Sequence, residues 1–106
     1  MKKDLQKKDI YSSQNQTLNG TILQKKVWKE ISLIPFGVVI TYSELARRVG
    51  YPKAVRAVAS AVGKNPQPIN IPCHRIVRSD GTIGGYSGLG GIEAKRKLLK
   101  SEGVDI

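Results

Sequence analysis

The chain has 106 residues, a length that fits one domain with one modest hydrophobic core. Hydrophobic residues make up 40% of it and charged residues 25%, and no apolar run approaches the roughly 20 residues of a membrane-spanning helix. The formal net charge of +10 favours a polyanionic partner, most often nucleic acid, although charge alone does not specify one.

Residues 1–20 are predicted to form a polar arm in front of a domain over residues 21–106. The stretch SSQNQTLNG is nearly free of apolar residues, which is typical of a flexible or loosely attached segment. An expression remnant or a short ordered extension would have the same composition. The charged start MKKDLQKKDI lacks the apolar core of a signal peptide, so a cytoplasmic, nucleoid-associated location is expected, or a nuclear one in a eukaryote.

A first helix is predicted from about residue 22 to residue 33. Thr21 and Gln24 match a capping box, in which each side chain binds the other residue's backbone N–H. The helix should end before Pro35. Trp28 is predicted to belong to the core rather than to a ligand platform. Apolar residues at near-helical spacing predict one buried face: Leu23, Val27, Ile31 and Ile34.

Two short helices joined by a tight turn follow in the predicted order. Thr41 and Glu44 match a second capping box, and Gly50 should stop the first of the two helices. Pro52 occupies a favoured first position for the second helix, and Gly63 should end it. The predicted bounds are about 42–49 and 52–62. In a basic protein this is a helix-turn-helix pattern, although many helical hairpins look the same.

The second of these helices has two different faces. Apolar residues at helical spacing predict its core face: Val55, Val58, Ala59 and Val62. The opposite face combines small side chains with cations: Lys53, Arg56, Ala57, Ser60, Ala61 and Lys64. Small side chains let a helix approach another surface closely, and cations can hold phosphates. This face has no Asn or Gln to read base edges, so DNA binding with weak sequence specificity is expected.

The last third of the chain is predicted to contain a β-hairpin, a glycine-rich loop and a helix. Ile76-Val77-Arg78 and Thr82-Ile83 would form the hairpin around an Asp-Gly turn. Residues 84–91 are the glycine-rich loop, and the helix should run from about 92 to 101. Two leucines of this helix, Leu98 and Leu99, should face inward. Its cations should face outward: Lys95, Arg96, Lys97 and Lys100.

The stretch INIPCHRIV holds the only cysteine and the only histidine of the chain, Cys73 and His74. A single cysteine excludes an intramolecular disulfide, and the pair cannot form a four-ligand zinc site. A thiol with an ordinary pKa of about 8.5 is mostly protonated at neutral pH, so a nucleophilic Cys73 would need a base. Neighbouring side chains in an extended segment point apart, and a carboxylate should orient the imidazole, with Glu93 and Glu102 as candidates. These residues alone leave open whether Cys73 is a buried small residue and His74 a structural one.

The chain from about Thr21 to Val104 resembles the C-terminal catalytic domain of the O6-alkylguanine-DNA alkyltransferases. The motif PCHR, preceded by NPQPINI and followed by IVRSDGTIGGYSG, carries the resemblance, and PFGVVITYSELA and YPKAVRAVASAV match in the same order. The resemblance implies a mostly α fold with a small β-hairpin, a winged helix-turn-helix-like domain that meets the DNA minor groove as a monomer. It implies no cofactor and no metal. The family's N-terminal domain, with any metal site it carries, is not expected in this chain.

For the reaction, the resemblance implies one irreversible transfer of an alkyl group from O6 of guanine, or from O4 of thymine, to Cys73 after the nucleotide flips out. His74 would take the thiol proton through a water, and Glu102 would polarise His74. Glu93 is the alternative, because the loop SGLGGIEAKRK is slightly longer than in the common form. Asn65 would lie beside the active-site turn.

For DNA recognition, the resemblance implies that Arg56 is a finger that fills the space of the flipped-out nucleotide. Tyr42 would help to rotate that nucleotide by pressing on its phosphate. Tyr86 and Ser87 would contact the guanine and its O6. Further DNA contacts are expected at four residues: Ala57, Ser60, Ala61 and Arg75.

Two other classes of protein remain as alternatives. Alkyltransferase-like proteins share this fold and bind alkylated guanine without transferring the group, but in them the acceptor cysteine is replaced, typically by tryptophan. The presence of Cys73 argues against that class. A helix-turn-helix transcription regulator would need base-reading side chains on its second helix, and the small face argues against it.

Overall fold

The computed structural model describes residues 20–106, and this part of the chain folds into four α-helices and a small sheet. In chain order the elements are α1 (Ile22–Ser32), β1 (Ile40–Thr41), α2 (Tyr42–Arg48), α3 (Val55–Gly63), a 3-10 turn (Cys73–Arg75), β2 (Ile76–Val77) and α4 (Gly91–Ser101). The mostly α fold class is confirmed. None of the helices in residues 20–106 is long and apolar enough to cross a membrane. The predicted arm lies outside the described residues, apart from its last residue.

Helix α1 begins and packs as its sequence predicts. Thr21 Oγ1 accepts from the backbone N–H of Gln24 at 3.1 Å, and Gln24 Oε1 accepts from the N–H of Thr21 at 2.9 Å. Trp28 is 1% exposed, and its indole Nε1 donates to the carbonyl of Ala61 at 2.9 Å. A buried indole N–H needs such a partner, so this contact joins α1 to α3 through the core.

The α2–turn–α3 unit differs from the prediction at its second helix. Thr41 Oγ1 accepts from the N–H of Glu44 at 3.0 Å, whereas the Glu44 carboxylate binds two arginines of its own helix. Gly50, with φ +89°, follows α2 in the left-handed conformation that suits a helix end. Helix α3 begins at Val55 rather than at Pro52, because residues 51–54 form a separate turn closed by the N–H of Ala54 and the carbonyl of Tyr51.

The buried face of α3 is rotated relative to the predicted one. Val58 and Val62 are buried as expected, whereas Val55 and Ala59 are only partly buried. Ala61, expected to contact DNA, is 2% exposed and accepts the Trp28 hydrogen bond, so that prediction is wrong. The reason is tertiary: α3 packs against α1 as well as α2, which moves the buried stripe toward Ala61.

The predicted β-hairpin is also wrong, although its turn forms. The backbone carbonyl of Arg78 accepts from the N–H of Gly81 at 3.0 Å, and the backbone N–H of Arg78 donates to the carbonyl of Thr82 at 3.0 Å. The chain then turns away at Gly84, where φ is +74°, so residues 82–83 do not form a strand. Strand β2 instead lies parallel to β1, with Ile40 opposite Ile76 and Thr41 opposite Val77. This pairing brings the start of α2 next to the segment that contains Cys73.

Candidate active site

Cys73 lies at the wall of a cavity of about 320 Å³. The cavity is built by the start of α2, the end of α3, the 3-10 turn and the glycine-rich loop, through Tyr42, Ala59, Val62, Gly63, Cys73, Gly85, Tyr86 and Ser87. Cys73 is 3% exposed and is a free thiol. A molecule that reacts with this sulfur therefore has to enter the cavity.

Glu102, the residue that follows α4, contacts His74. Its Oε2 lies 2.8 Å from His74 Nε2, and its Oε1 accepts from the N–H of Gly37 at 3.2 Å. Both side chains are almost fully buried, at 2% exposed for His74 and 6% for Glu102. The alternative partner Glu93 is exposed in the first turn of α4. The catalytic role of Glu102 stays a prediction, but its contact with His74 is a property of the fold.

Arg75 does not have the surface position that a DNA contact requires. Its Nε and Nη2 donate to Oε1 and Oε2 of Glu102, both at 2.8 Å, and its Nη1 donates to the carbonyl of Ile34 at 2.7 Å. Its side chain is 14% exposed. The expectation that Arg75 binds DNA is therefore wrong, because the planar guanidinium is used within the fold to hold Glu102 from both oxygens.

The pairing with Arg75 fixes the charge of Glu102 and the tautomer of His74. Hydrogen bonds from Arg75 first, and from His74 and Gly37 after it, hold the Glu102 pKa at about 2 despite its burial. An ionised carboxylate only accepts hydrogen bonds, so His74 Nε2 carries the proton. When His74 is neutral, Nδ1 is therefore the nitrogen that carries the lone pair. This nitrogen is buried and has no hydrogen-bond partner within residues 20–106.

Asn65 organises the loop that leads to Cys73. Its Nδ2 donates to the carbonyl of Ile71 at 2.7 Å, and its Oδ1 accepts from the N–H of Gln67 at 2.9 Å. Burial raises the pKa of the Cys73 thiol, while hydrogen bonding from Asn65 and the charge of Lys95 oppose that rise. The structure thus brings the expected Asn65 next to the sulfur.

Lys95 is the residue that the sequence analysis missed, and its predicted outward position is wrong. It is 0% exposed, and its Nζ donates to the carbonyls of Ile76 at 2.7 Å and Gly85 at 2.9 Å. Burial lowers its pKa to about 8, against the opposing effect of Cys73. A signal was present: Lys95 lies four residues before Leu99 and so shares the inward face of α4. The neighbouring cations of α4 made Lys95 resemble another exposed charge.

The predicted DNA-contacting residues fall into two groups. Arg56, Ala57 and Ser60 are exposed on α3, as a contact surface requires. Tyr42 and Tyr86 are half-buried at the cavity wall, and burial raises the pKa of each phenol, with Cys73 adding to both effects. The helix that exposes Arg56, Ala57 and Ser60 therefore also lines the thiol cavity, through Ala59, Val62 and Gly63.

Comparison with known proteins gives consistent matches. A family model described as the DNA-binding domain of 6-O-methylguanine DNA methyltransferase matches residues 22–104. The methylated-DNA–protein-cysteine methyltransferase of Haemophilus influenzae is 51% identical over 80% of this chain and 46% of its own length. The match spans 23%, 46% and 37% of the length of three curated relatives, and 61% of the length of a fourth.

Two solved structures share the fold. The structure of Mycobacterium tuberculosis OGT in complex with DNA has a TM-score of 0.75 and 45% identity, covering 79% of this chain and 51% of that one. S. pombe Atl1, in complex with damaged DNA that contains O6-carboxymethylguanine, has a TM-score of 0.72 and 34% identity, covering 84% of this chain and 82% of that one.

Proposed function

Since the chain belongs to the family of the 6-O-methylguanine DNA methyltransferase DNA-binding domain, we propose that it repairs DNA by moving an alkyl group from O6 of guanine to Cys73. The observation that carries the proposal is the buried free thiol at the wall of a cavity of about 320 Å³. That volume lies within the range of small-molecule sites, so it suits a single extruded base. O4-alkylthymine is a second candidate substrate.

The transfer is a nucleophilic substitution at the alkyl carbon. His74 Nδ1 takes the thiol proton through a water, and the resulting thiolate attacks the carbon. The S–C bond forms as the C–O6 bond breaks, and the electron pair stays on the guanine, which then takes up a proton. The ionised Glu102 stabilises the His74 imidazolium, and Asn65 supports the thiolate. Because a thioether does not hydrolyse readily, each molecule acts once, without a cofactor.

DNA would be engaged through the exposed face of α3 in the minor groove. Ala57 and Ser60 allow a close approach, Arg56 fills the gap left by the extruded nucleotide, and Tyr42 presses on its phosphate. Tyr86 and Ser87 contact the base. With backbone contacts dominant, sequence specificity is weak, and one chain acts on one lesion. The protein would work where its DNA is, in the cytoplasm with the nucleoid or in a nucleus.

The test is to incubate the protein with duplex DNA carrying O6-methylguanine and to weigh the intact protein and its peptides. One methyl group on the peptide that contains Cys73 is expected, and Cys73→Ser should gain none. Unmodified protein bound to the damaged duplex would overturn the proposal. That result would instead favour binding of the lesion without transfer, a reading supported by the likeness to Atl1 over most of that chain.

A further inference from the structure

A second cavity of about 380 Å³ adjoins the thiol cavity. Tyr42, Ala59 and Gly85 line both cavities, so they form the wall between them. The second cavity also receives Arg56 from α3 and Arg78 from the turn after β2. The described residues that line it include two arginines and no acid. A site with this charge favours an anion.

The turn that presents Arg78 is fixed in place. The backbone N–H and carbonyl of Arg78 both bond within the turn over residues 78–82, at 3.0 Å each. Ser79 Oγ lies 2.7 Å from Ser43 Oγ, which ties the turn to α2. The Arg78 side chain packs against Gly84, where an added Cβ would lie 3.4 Å from Arg78 Cγ. The backbone that carries the Arg78 side chain is therefore held in place by these contacts.

Arg78 also differs from the arginines that the fold uses for itself. Arg75 and Arg48 are paired with carboxylates, whereas the Arg78 guanidinium makes no hydrogen bond and no ion pair within residues 20–106. The charge of Arg78 contributes to the lowered pKa of Asp80, but the two groups form no ion pair. Asp80 Oδ1 instead accepts from the N–H and the hydroxyl of Thr82. The donors of Arg78 are thus available to a ligand.

We propose that Arg78, which lines the second cavity together with Arg56, binds the phosphodiester of the nucleotide whose base occupies the Cys73 cavity. This inference rests on the proposed function. A nucleotide in the first cavity carries its phosphate past Tyr42, the shared wall, into the neighbouring one. Arginine suits that anion because its planar fork can donate two parallel hydrogen bonds to phosphate oxygens. Arg78 is then a residue that positions the substrate.

The first test compares Arg78→Ala with Arg96→Ala, which removes the same charge from the exposed side of α4. Transfer from an O6-methylguanine duplex and from free O6-benzylguanine, which has no phosphate, is timed for both. Arg78→Ala should slow the duplex reaction by about ten- to a hundred-fold, the effect of one charge-assisted hydrogen bond. It should slow the free-base reaction far less, and Arg96→Ala should leave both rates near those of the wild type.

The second test neutralises the phosphate instead of the arginine. A methylphosphonate linkage is placed on one side of the lesion or on the other. At one of the two positions it should slow alkyl transfer to the wild-type protein, and at that position it should not slow Arg78→Ala any further. Equal slowing of the wild type and Arg78→Ala by every linkage would overturn the inference. Duplex rates for Arg78→Ala that match those for Arg96→Ala would overturn it as well. If Arg78→Ala misfolds, Arg78→Gln takes its place. A wild-type protein that no substrate alkylates would overturn the proposed function together with this inference.

Discussion

The structure contains two buried charged clusters near the segment that carries Cys73, and each cluster holds its charge with a different kind of partner. In the first, the carboxylate of Glu102 is held by Arg75 and His74, so its negative charge is paired with the positive charge of Arg75. In the second, the ammonium of Lys95 donates only to the carbonyls of Ile76 and Gly85.

The difference appears in the acid–base behaviour of the two clusters. Ion pairing lowers the Glu102 pKa to about 2, which keeps the charge over the whole physiological range. Burial without a carboxylate lowers the Lys95 pKa to about 8, so this ammonium loses its proton at a lower pH than an ordinary lysine. The first cluster is thus a fixed framework that orients His74, whereas the second is a poised cation beside the thiol.

The largest effect is expected from Glu102→Ala. It leaves Arg75 buried without its partner, and breaking a buried ion pair from one side costs about 3–5 kcal/mol of unfolding free energy. Urea unfolding measures this loss, and alkyl transfer by the folded fraction should also slow because His74 loses its orientation. Glu93→Ala, at an exposed acid in the first turn of α4, should change stability by about 0.5 kcal/mol or less. Similar losses for the two variants would contradict the role of the paired cluster.

Lys95→Met should have a smaller effect on stability and a distinct effect on the thiol. Two carbonyls lose a donor, which costs about 1–3 kcal/mol, partly offset because a buried charge disappears. Without the ammonium, the pKa of the Cys73 thiol should rise further. Because Cys73 is the only cysteine, the rate of its alkylation by iodoacetamide against pH reports on this group directly. The profile should move to higher pH in Lys95→Met and stay in place in Lys97→Met.

The pH dependence of stability should separate the clusters. The folded pKa of Glu102 lies below its usual value of 4.5, so its stabilisation is present above that pH and is lost as the pH falls toward about 2. The folded pKa of Lys95 is also depressed, from 10.5, so the folded state releases this proton first and stability rises from about pH 8 toward 10.5. The stability difference between the wild type and Glu102→Gln should change in the acidic window. The difference between the wild type and Lys95→Met should change in the alkaline window. A change of either difference in the other window would contradict the contrast.

The smallest effect is expected at Ile69, which belongs to neither cluster and lies in the loop before Cys73. Its φ is +83°, a left-handed conformation that is unfavourable for a β-branched residue, and its side chain is 62% exposed. Asn tolerates this conformation, so Ile69→Asn should add about 0.5–1 kcal/mol of stability at every pH. Ile22→Asn, at an exposed isoleucine without that conformation, should add none in the same thermal or urea unfolding measurement.

The features that sequence predicted well are those that neighbouring residues decide. The capping box of Thr21 and Gln24, the stop at Gly50 and the Asp-Gly turn depend on backbone groups within a few positions. The motif around Cys73 likewise marked the candidate site, because its residues lie together in the chain. Contacts between Asn65, His74, Glu102 and their neighbours are consistent with that assignment, while the roles of these residues stay predictions.

The features that sequence predicted wrongly depend on contacts between distant segments. Whether β2 pairs with a following strand or with β1 is decided by where the chain goes after Gly84. Ala61 and Lys95 lie inside because of the helices packed over them, and a small or charged side chain carries little sign of that. Arg75 resembles a surface cation in sequence, and only the position of Glu102 reveals it as internal.

The hydrogen bond from Trp28 to Ala61 couples the fluorescent indole of the protein to the position of α3. Trp28 is the only tryptophan of the chain, and its indole N–H is bonded to Ala61 near the end of α3, the helix whose exposed face we propose as the DNA contact. A shift of α3 on binding would change the polarity and hydrogen bonding of that indole, and with them its emission. If DNA binding shifts α3, intrinsic fluorescence would therefore report the binding without an added dye.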